Sequence, residues 1–123
     1  MNAKMKIDKV LSEVTKGARG ILGDRLHSVI LYGSHARGDF DDESDVDIMV
    51  LADLKEDEMW EMQMEMCDVS SAVSLENDVT VCALLKDRRF FVSHVDTLPF
   101  YRNVITEGVM VYERKREPGK VAF

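Results

Sequence analysis

The sequence predicts an α/β domain, a short mixed β-sheet packed with helices in two layers. Three observations predict it. Short apolar runs of strand length are separated by longer segments whose apolar residues recur every three or four positions. Their order, α-β-loop-β-α-β-α-β, is that of a sheet covered by helices rather than of a bundle or a sandwich. The 123 residues, 46% of them hydrophobic, suffice for one domain with its own core.

Residues 3–22 read as the first helix, because Met5, Val10, Leu11, Val14, Ala18, Ile21 and Leu22 share a stripe and Gly20 and Gly23 mark its end. The first strand is Val29 to Tyr32. Residues 33–44 form a polar loop with a short helical turn, and the second strand runs from Asp45 to Ala52. Leu54 to about Ser74 is a second long helix. Met59, Met62, Met66, Val69 and Val73 step along its inner face, and Glu56, Asp57, Glu58, Glu61 and Glu65 cover its outer one. Trp60, Met64 and Cys67 form a second apolar line, which reads as core packing or as a partner face. Val79 to Leu85 is the third strand. Helices follow at Arg88 to Asp96 and at Leu98 to Thr106, the latter with Pro99 near its start. After Gly108, Val109 to Tyr112 is the last strand. The domain is expected to span residues 1–112, with residues 113–123 a charged, flexible tail containing Pro118-Gly119.

The loop between the first two strands carries the chemistry. An apolar run stops at Gly33-Ser34, and Ser44-Asp45-Val46-Asp47 opens the next. In a strand, residues i and i+2 share a face, which puts Asp45 and Asp47 side by side with Cα atoms roughly 6.6 Å apart. Two carboxylates about 4 Å apart repel by roughly 4 kcal/mol at an effective dielectric of 20. A cation between them relieves that cost, and hard oxygen ligands suit Mg²⁺, which takes one or two carboxylates plus substrate phosphates. Gly33 has no Cβ to keep a phosphate from the backbone. Ser34 offers a hydroxyl and an N–H, and Arg37 a permanent charge. Arg37 either holds phosphate or substrate or orders the loop by pairing with Asp39 or Asp42. Carboxylates and a phosphate cradle together point to nucleotidyl or phosphoryl transfer.

Gly33-Ser34-x-x-Arg37-Gly38-Asp39-x(4)-Ser44-Asp45-x-Asp47-Ile48 resembles the signature of the DNA polymerase β-type nucleotidyltransferase superfamily, and in particular its minimal nucleotidyltransferases. Pro99-x-x-Arg102-Asn103-Val104-x-x-Glu107-Gly108-Val109 resembles the closing helix and strand of the same proteins, so the likeness runs from about residue 25 to 112. The resemblance implies a nucleotidyltransferase fold. It makes Asp45 and Asp47 metal ligands, Ser34 a contact of the terminal phosphates, and two Mg²⁺ ions with ATP the expected cofactor and substrate. It also implies a third carboxylate on a neighbouring strand, which completes the metal site and takes the proton of the attacking hydroxyl. Asp78, at the entrance to the third strand, is the candidate; otherwise it is a strand-end acid. Asp39 and Ser44 are expected to shape the loop, and His35 to lie in solvent.

A net charge of −7 and an isoelectric point near 4.9 argue against gripping nucleic acid through a broad basic surface. No apolar run approaches the ~20 residues of a membrane span, and the first residues lack the apolar stretch of a signal peptide. Cys67 and Cys82 form no CxxC pair and read as buried thiols of a reducing cytoplasm. The resemblance implies an antitoxin that transfers AMP from ATP to a small helical HEPN-type toxin, with a homo-oligomer also open. Two rivals remain: a nucleotide-binding module that restrains its partner by contact alone, and a drug-modifying nucleotidyltransferase acting on an aminoglycoside.

Overall fold

The computed structural model describes residues 2–115. Helix α1 (Ala3–Leu22) opens on Asn2, whose side-chain oxygen accepts the Met5 N–H. Strand β1 (Leu26–Tyr32) runs straight into the one-turn helix α2 (Ser34–Arg37). Then come β2 (Val46–Ala52), α3 (Met59–Asn77), β3 (Val81–Asp87), α4 (Arg88–His94), α5 (Pro99–Glu107) and β4 (Val109–Glu113). The sheet order is β3-β2-β1-β4. β1 is antiparallel to β2 and to β4, and β2 is parallel to β3. A parallel neighbour requires a long crossover, which α3 provides.

Helices cover both faces of the sheet. Val29, Leu31, Ile48 and Val50 face α1 and α3, where they pack with Val10, Val14, Met66 and Val73. The alternate residues Ile30, Met49 and Leu51 face α4 and α5 and pack with Phe91, Tyr101 and Val104. The fold is therefore α/β as expected, but with three layers rather than two. The reason lies in β1 and β2, whose central residues are buried without alternation, as in strands covered on both faces.

Other differences are local. The second long helix starts at Met59 rather than Leu54, because Glu58 first closes a 3-10 turn, accepting the Lys55 N–H and pairing with Arg25 at 2.6 Å. β3 starts two residues later than expected, because Asp78 leaves α3 in the left-handed conformation. Both cysteines, expected to be buried, are exposed. Cys67 lies on α3 beside Gln63, whose amide reaches β3, and Cys82 is the open residue of a β3 stretch whose neighbours Val81 and Ala83 are buried. The expected tail boundary falls inside β4, which continues to Glu113, and Arg114 donates its N–H to the His27 carbonyl. Residues 116–123 of that tail lie outside the described residues. Among the described residues, no helix is long and apolar enough to cross a membrane.

Candidate active site

The site forms where β1 and β2 end side by side. Tyr32 pairs across the sheet with Asp47, and Asp47 pairs in turn with Cys82 of β3. All three stand on the α4/α5 face, one from each of three adjacent strands. Asp45 immediately precedes β2 and is exposed, while Asp47 is half-buried. Burial first, and the neighbouring Asp45 second, push Asp47 above the usual carboxylate range, while His35 and Arg37 pull it back. Partial desolvation by the neighbouring elements, helped by Asp47 and Asp45, likewise raises the thiol of the otherwise exposed Cys82. Tyr32 is raised too, by burial and then by Asp47.

Gly33 turns the chain at φ 74°, ψ −155°, and a Cβ there would stand 2.5 Å from Asp47 Oδ2. The missing side chain thus lets the backbone at the end of β1 lie directly against the second carboxylate, where any other residue would be both strained and obstructed. From Gly33 the chain winds into α2. The Ala36 and Arg37 N–H groups donate to the Gly33 carbonyl, and those of Gly38 and Asp39 to the Ser34 carbonyl. The amides of Ser34 and His35 open this turn and have no partner within it. Arg37 is held on two sides, its Nε by Asp39 at 3.2 Å and its Nη1 by Glu107 at 3.3 Å. Asp41 organises the rest of the loop: its carboxylate accepts the Glu43 N–H and the Ser44 hydroxyl, while Ser44 Oγ accepts the Asp41 N–H.

The structure thus gathers Gly33, Ser34, Arg37, Asp45 and Asp47 at one end of the sheet. It does not bring Asp78 to them. Asp78 caps α3, its carbonyl accepts Lys6 Nζ of α1 at 3.1 Å, its side chain is exposed, and it is not among the charges that act on Asp47. The turn that closes α3 uses this short polar residue for its tolerance of positive φ. The general-base and metal-ligand roles expected of Asp78 are therefore withdrawn. Cys82, not an acid, occupies the strand position beside Asp47. His35 is also not the solvent residue expected. It is half-buried, stacks on Phe40 with centroids 4.4 Å apart, and places Nε2 3.3 Å from the Ser44 carbonyl, with Nδ1 buried and unpaired. Glu107 was not singled out as a site residue; nothing in its local sequence shows that it faces Arg37.

A model of the family described as polymerase beta, nucleotidyltransferase, matches residues 21–117. The chain belongs to this nucleotidyltransferase family. It is 34% identical over 97 residues to the candidate protein adenylyltransferase MJ0141 of Methanocaldococcus jannaschii, covering 79% of this chain and 96% of the relative. A second candidate protein adenylyltransferase of that organism, MJ0604, is 29% identical over 108 residues, 88% of this chain and all of the relative. Among solved structures, a candidate nucleotidyltransferase from Sulfolobus solfataricus superposes with a TM-score of 0.58 at 23% identity, covering 89% of this chain and 83% of that one. A toxin–antitoxin complex with AMP-PNP contains a chain that superposes at 0.55 and 20% identity, covering 85% and 74%. These superpositions establish the nucleotidyltransferase fold.

Among the described residues, no group of three or more His, Cys, Asp and Glu side chains is placed to hold a metal ion. The candidate site offers instead two neighbouring carboxylates, Asp45 and Asp47. That set fits Mg²⁺, which is bound through one or two carboxylates with substrate phosphates and water completing its shell. A groove of about 980 Å³ between α1 and β4 shares no residue with this site.

Proposed function

We propose that this nucleotidyltransferase transfers AMP from ATP, in the presence of Mg²⁺, to a hydroxyl of a partner protein, and that it acts as the antitoxin of a helical HEPN-type toxin. The observation that carries the reading is Gly33 lying against Asp47, which sets a close-approach backbone turn beside paired carboxylates. The names of the two Methanocaldococcus relatives and the AMP-PNP toxin–antitoxin complex support the choice of nucleotide and of protein acceptor.

In this reading Gly33 admits the triphosphate to the backbone, and Ser34 and the opening amides of α2 bind its oxygens. Arg37 offsets charge with the donors that its ion pairs leave free, since a guanidinium has five. Asp45 and Asp47 would hold Mg²⁺, which supplies charge stabilisation for the attacking and leaving oxygens. The in-line geometry is set by where these groups hold the phosphates, and positioning is the larger part of catalysis in such transfers. The test is direct. The protein is incubated with labelled ATP, Mg²⁺ and a candidate helical HEPN-type partner. Label on that protein, lost with Asp45→Asn, is the expected result. Label on nothing, with ATP bound, favours a second reading.

That second reading is a nucleotide-binding module that restrains its partner by contact alone. One observation favours it: Cys82, rather than an acid, stands beside Asp47. An unassisted acceptor hydroxyl forgoes the 10²–10⁴-fold that a positioned base typically contributes.

A further inference from the structure

The two motifs of this chain, one at residues 33–48 and one at 99–109, are far apart in sequence. Among the described residues, an ion pair joins them, between Arg37 Nη1 and Glu107 Oε2. We propose that Glu107 is a positioning residue for nucleotide binding: it holds the Arg37 guanidinium in place over the phosphate loop. The proposal rests on the nucleotide reading of that loop.

Three observations carry it. Arg37 sits on α2, four residues long and with no buried side chain, so the sheet by itself does not fix where this cation points. Glu107, by contrast, stands on a fixed post. It is the last residue of α5, whose Val104 is buried against the sheet. The next residue, Gly108, is so close to the Val104 carbonyl and the Ile30 side chain that a Cβ there would collide with both. The chain therefore drops from Glu107 straight onto β1, the strand that ends in Tyr32, next to Gly33. Finally, the two acids divide the guanidinium between them. Asp39 takes Nε from within the loop and Glu107 takes Nη1 from outside it. Asp39 alone would let the side chain turn with its own loop, whereas Glu107 ties it to the body of the protein. Three of the five donors stay available for phosphate.

Exposed ion pairs contribute little to stability, so the effect should appear in binding and order rather than in folding. Two measurements on the full chain separate the possibilities. The first is the order of the Arg37 Nε–H, from its ¹⁵N relaxation, in wild type and Glu107→Gln. A marked loss of order in the variant is expected; an unchanged signal overturns the proposal, whatever ATP does. The second is ATP affinity in wild type, Glu107→Gln, Arg37→Gln and the double variant. Glu107→Gln should weaken binding about two- to fivefold, the range of an exposed pair. Arg37→Gln should weaken it about tenfold or more, as for a lost charged hydrogen bond. The double variant should be no worse than Arg37→Gln, and Glu107→Asp should recover part of the loss. Tighter binding by Glu107→Gln, or additive losses, would show that Glu107 competes with phosphate or acts elsewhere, and would overturn the proposal. A wild-type chain that binds no ATP overturns the nucleotide reading and this role with it.

Discussion

Gly33 and Asp47 illustrate how a site is written in residues. The glycine is where a β1 side chain would otherwise meet the carboxylate, and its φ of 74° disfavours any Cβ. Gly33→Val should therefore displace Asp47, block the triphosphate and lower ATP affinity by at least tenfold, as calorimetric titration would show; unchanged affinity would mean that the loop is not the cradle. The carboxylates make a second prediction. Burial and Asp45 raise Asp47, so the folded protein keeps this proton to higher pH than the unfolded chain does. Stability then falls as pH rises from the ordinary carboxylate range through the raised value, and at neutral pH the ionised pair opposes folding. Without metal, Asp47→Asn should melt higher at pH 7 by about 0.5 kcal/mol after allowance for solvent screening, and the gain should vanish below about pH 4. Thermal melts across that range test it, and the same variant should lose transfer. The nearness of Asp45 to Asp47 was legible in the Asp-x-Asp spacing, although Asp45 lies just before β2 rather than inside it as expected. Asp78 was misread because a left-handed helix cap and a catalytic acid look alike in sequence. His35 was misread because its stacking on Phe40 depends on how the loop closes.

At the level of elements, regular periodicity was the readable part. The stripe of α1 gave both ends of that helix, and Met66 and Val73 of the α3 stripe are buried as their spacing implies. Boundaries set by single side-chain contacts were not readable, and Glu58 and Asp78 account for the displaced starts of α3 and β3. Gln63 is another such contact: its amide donates to the Ala83 carbonyl and accepts the Leu85 N–H, occupying the open edge of β3 as a strand would. Asp53, just past β2, receives Arg88 Nε of α4 at 3.0 Å and Arg114 Nη1 at 3.2 Å, joining three elements at the end of the sheet remote from the loop. Burial alone would raise its carboxyl, but the two arginine hydrogen bonds outweigh that and hold it below the usual range. The stabilisation is thus present above the ordinary carboxylate pKa and lost as pH falls through the lowered one. Asp53→Asn should cost about 1 kcal/mol at pH 7 and progressively less in acid, as denaturant midpoints at pH 7 and pH 3 would show.

On the scale of the whole molecule, topology decides what the sequence left open. The continuous apolar runs of β1 and β2 already carried the signal for helices on both faces, since a strand with one wet face alternates. The register of β3 had no such signal, because it depends on where α3 ends. That register sets Cys82, and not Asp78, beside Asp47, with both standing on the α4/α5 face. If a proton acceptor belongs anywhere on β3, it belongs at position 82. Asp78→Ala should therefore leave transfer within about twofold of wild type. Cys82→Asp should raise it by on the order of 10-fold or more, toward the 10²–10⁴ range of a positioned base. Because Cys82 is exposed, the new carboxylate needs no buried partner, but it adds to the repulsion between Asp45 and Asp47. The variant should consequently melt lower than wild type without divalent cations and regain much of the difference when Mg²⁺ is added. Single-turnover labelling of the partner protein, with melts run with and without Mg²⁺, tests both halves. No gain in transfer, together with no Mg²⁺-dependent recovery, would place the acceptor's proton path away from β3 and strengthen the contact-only reading.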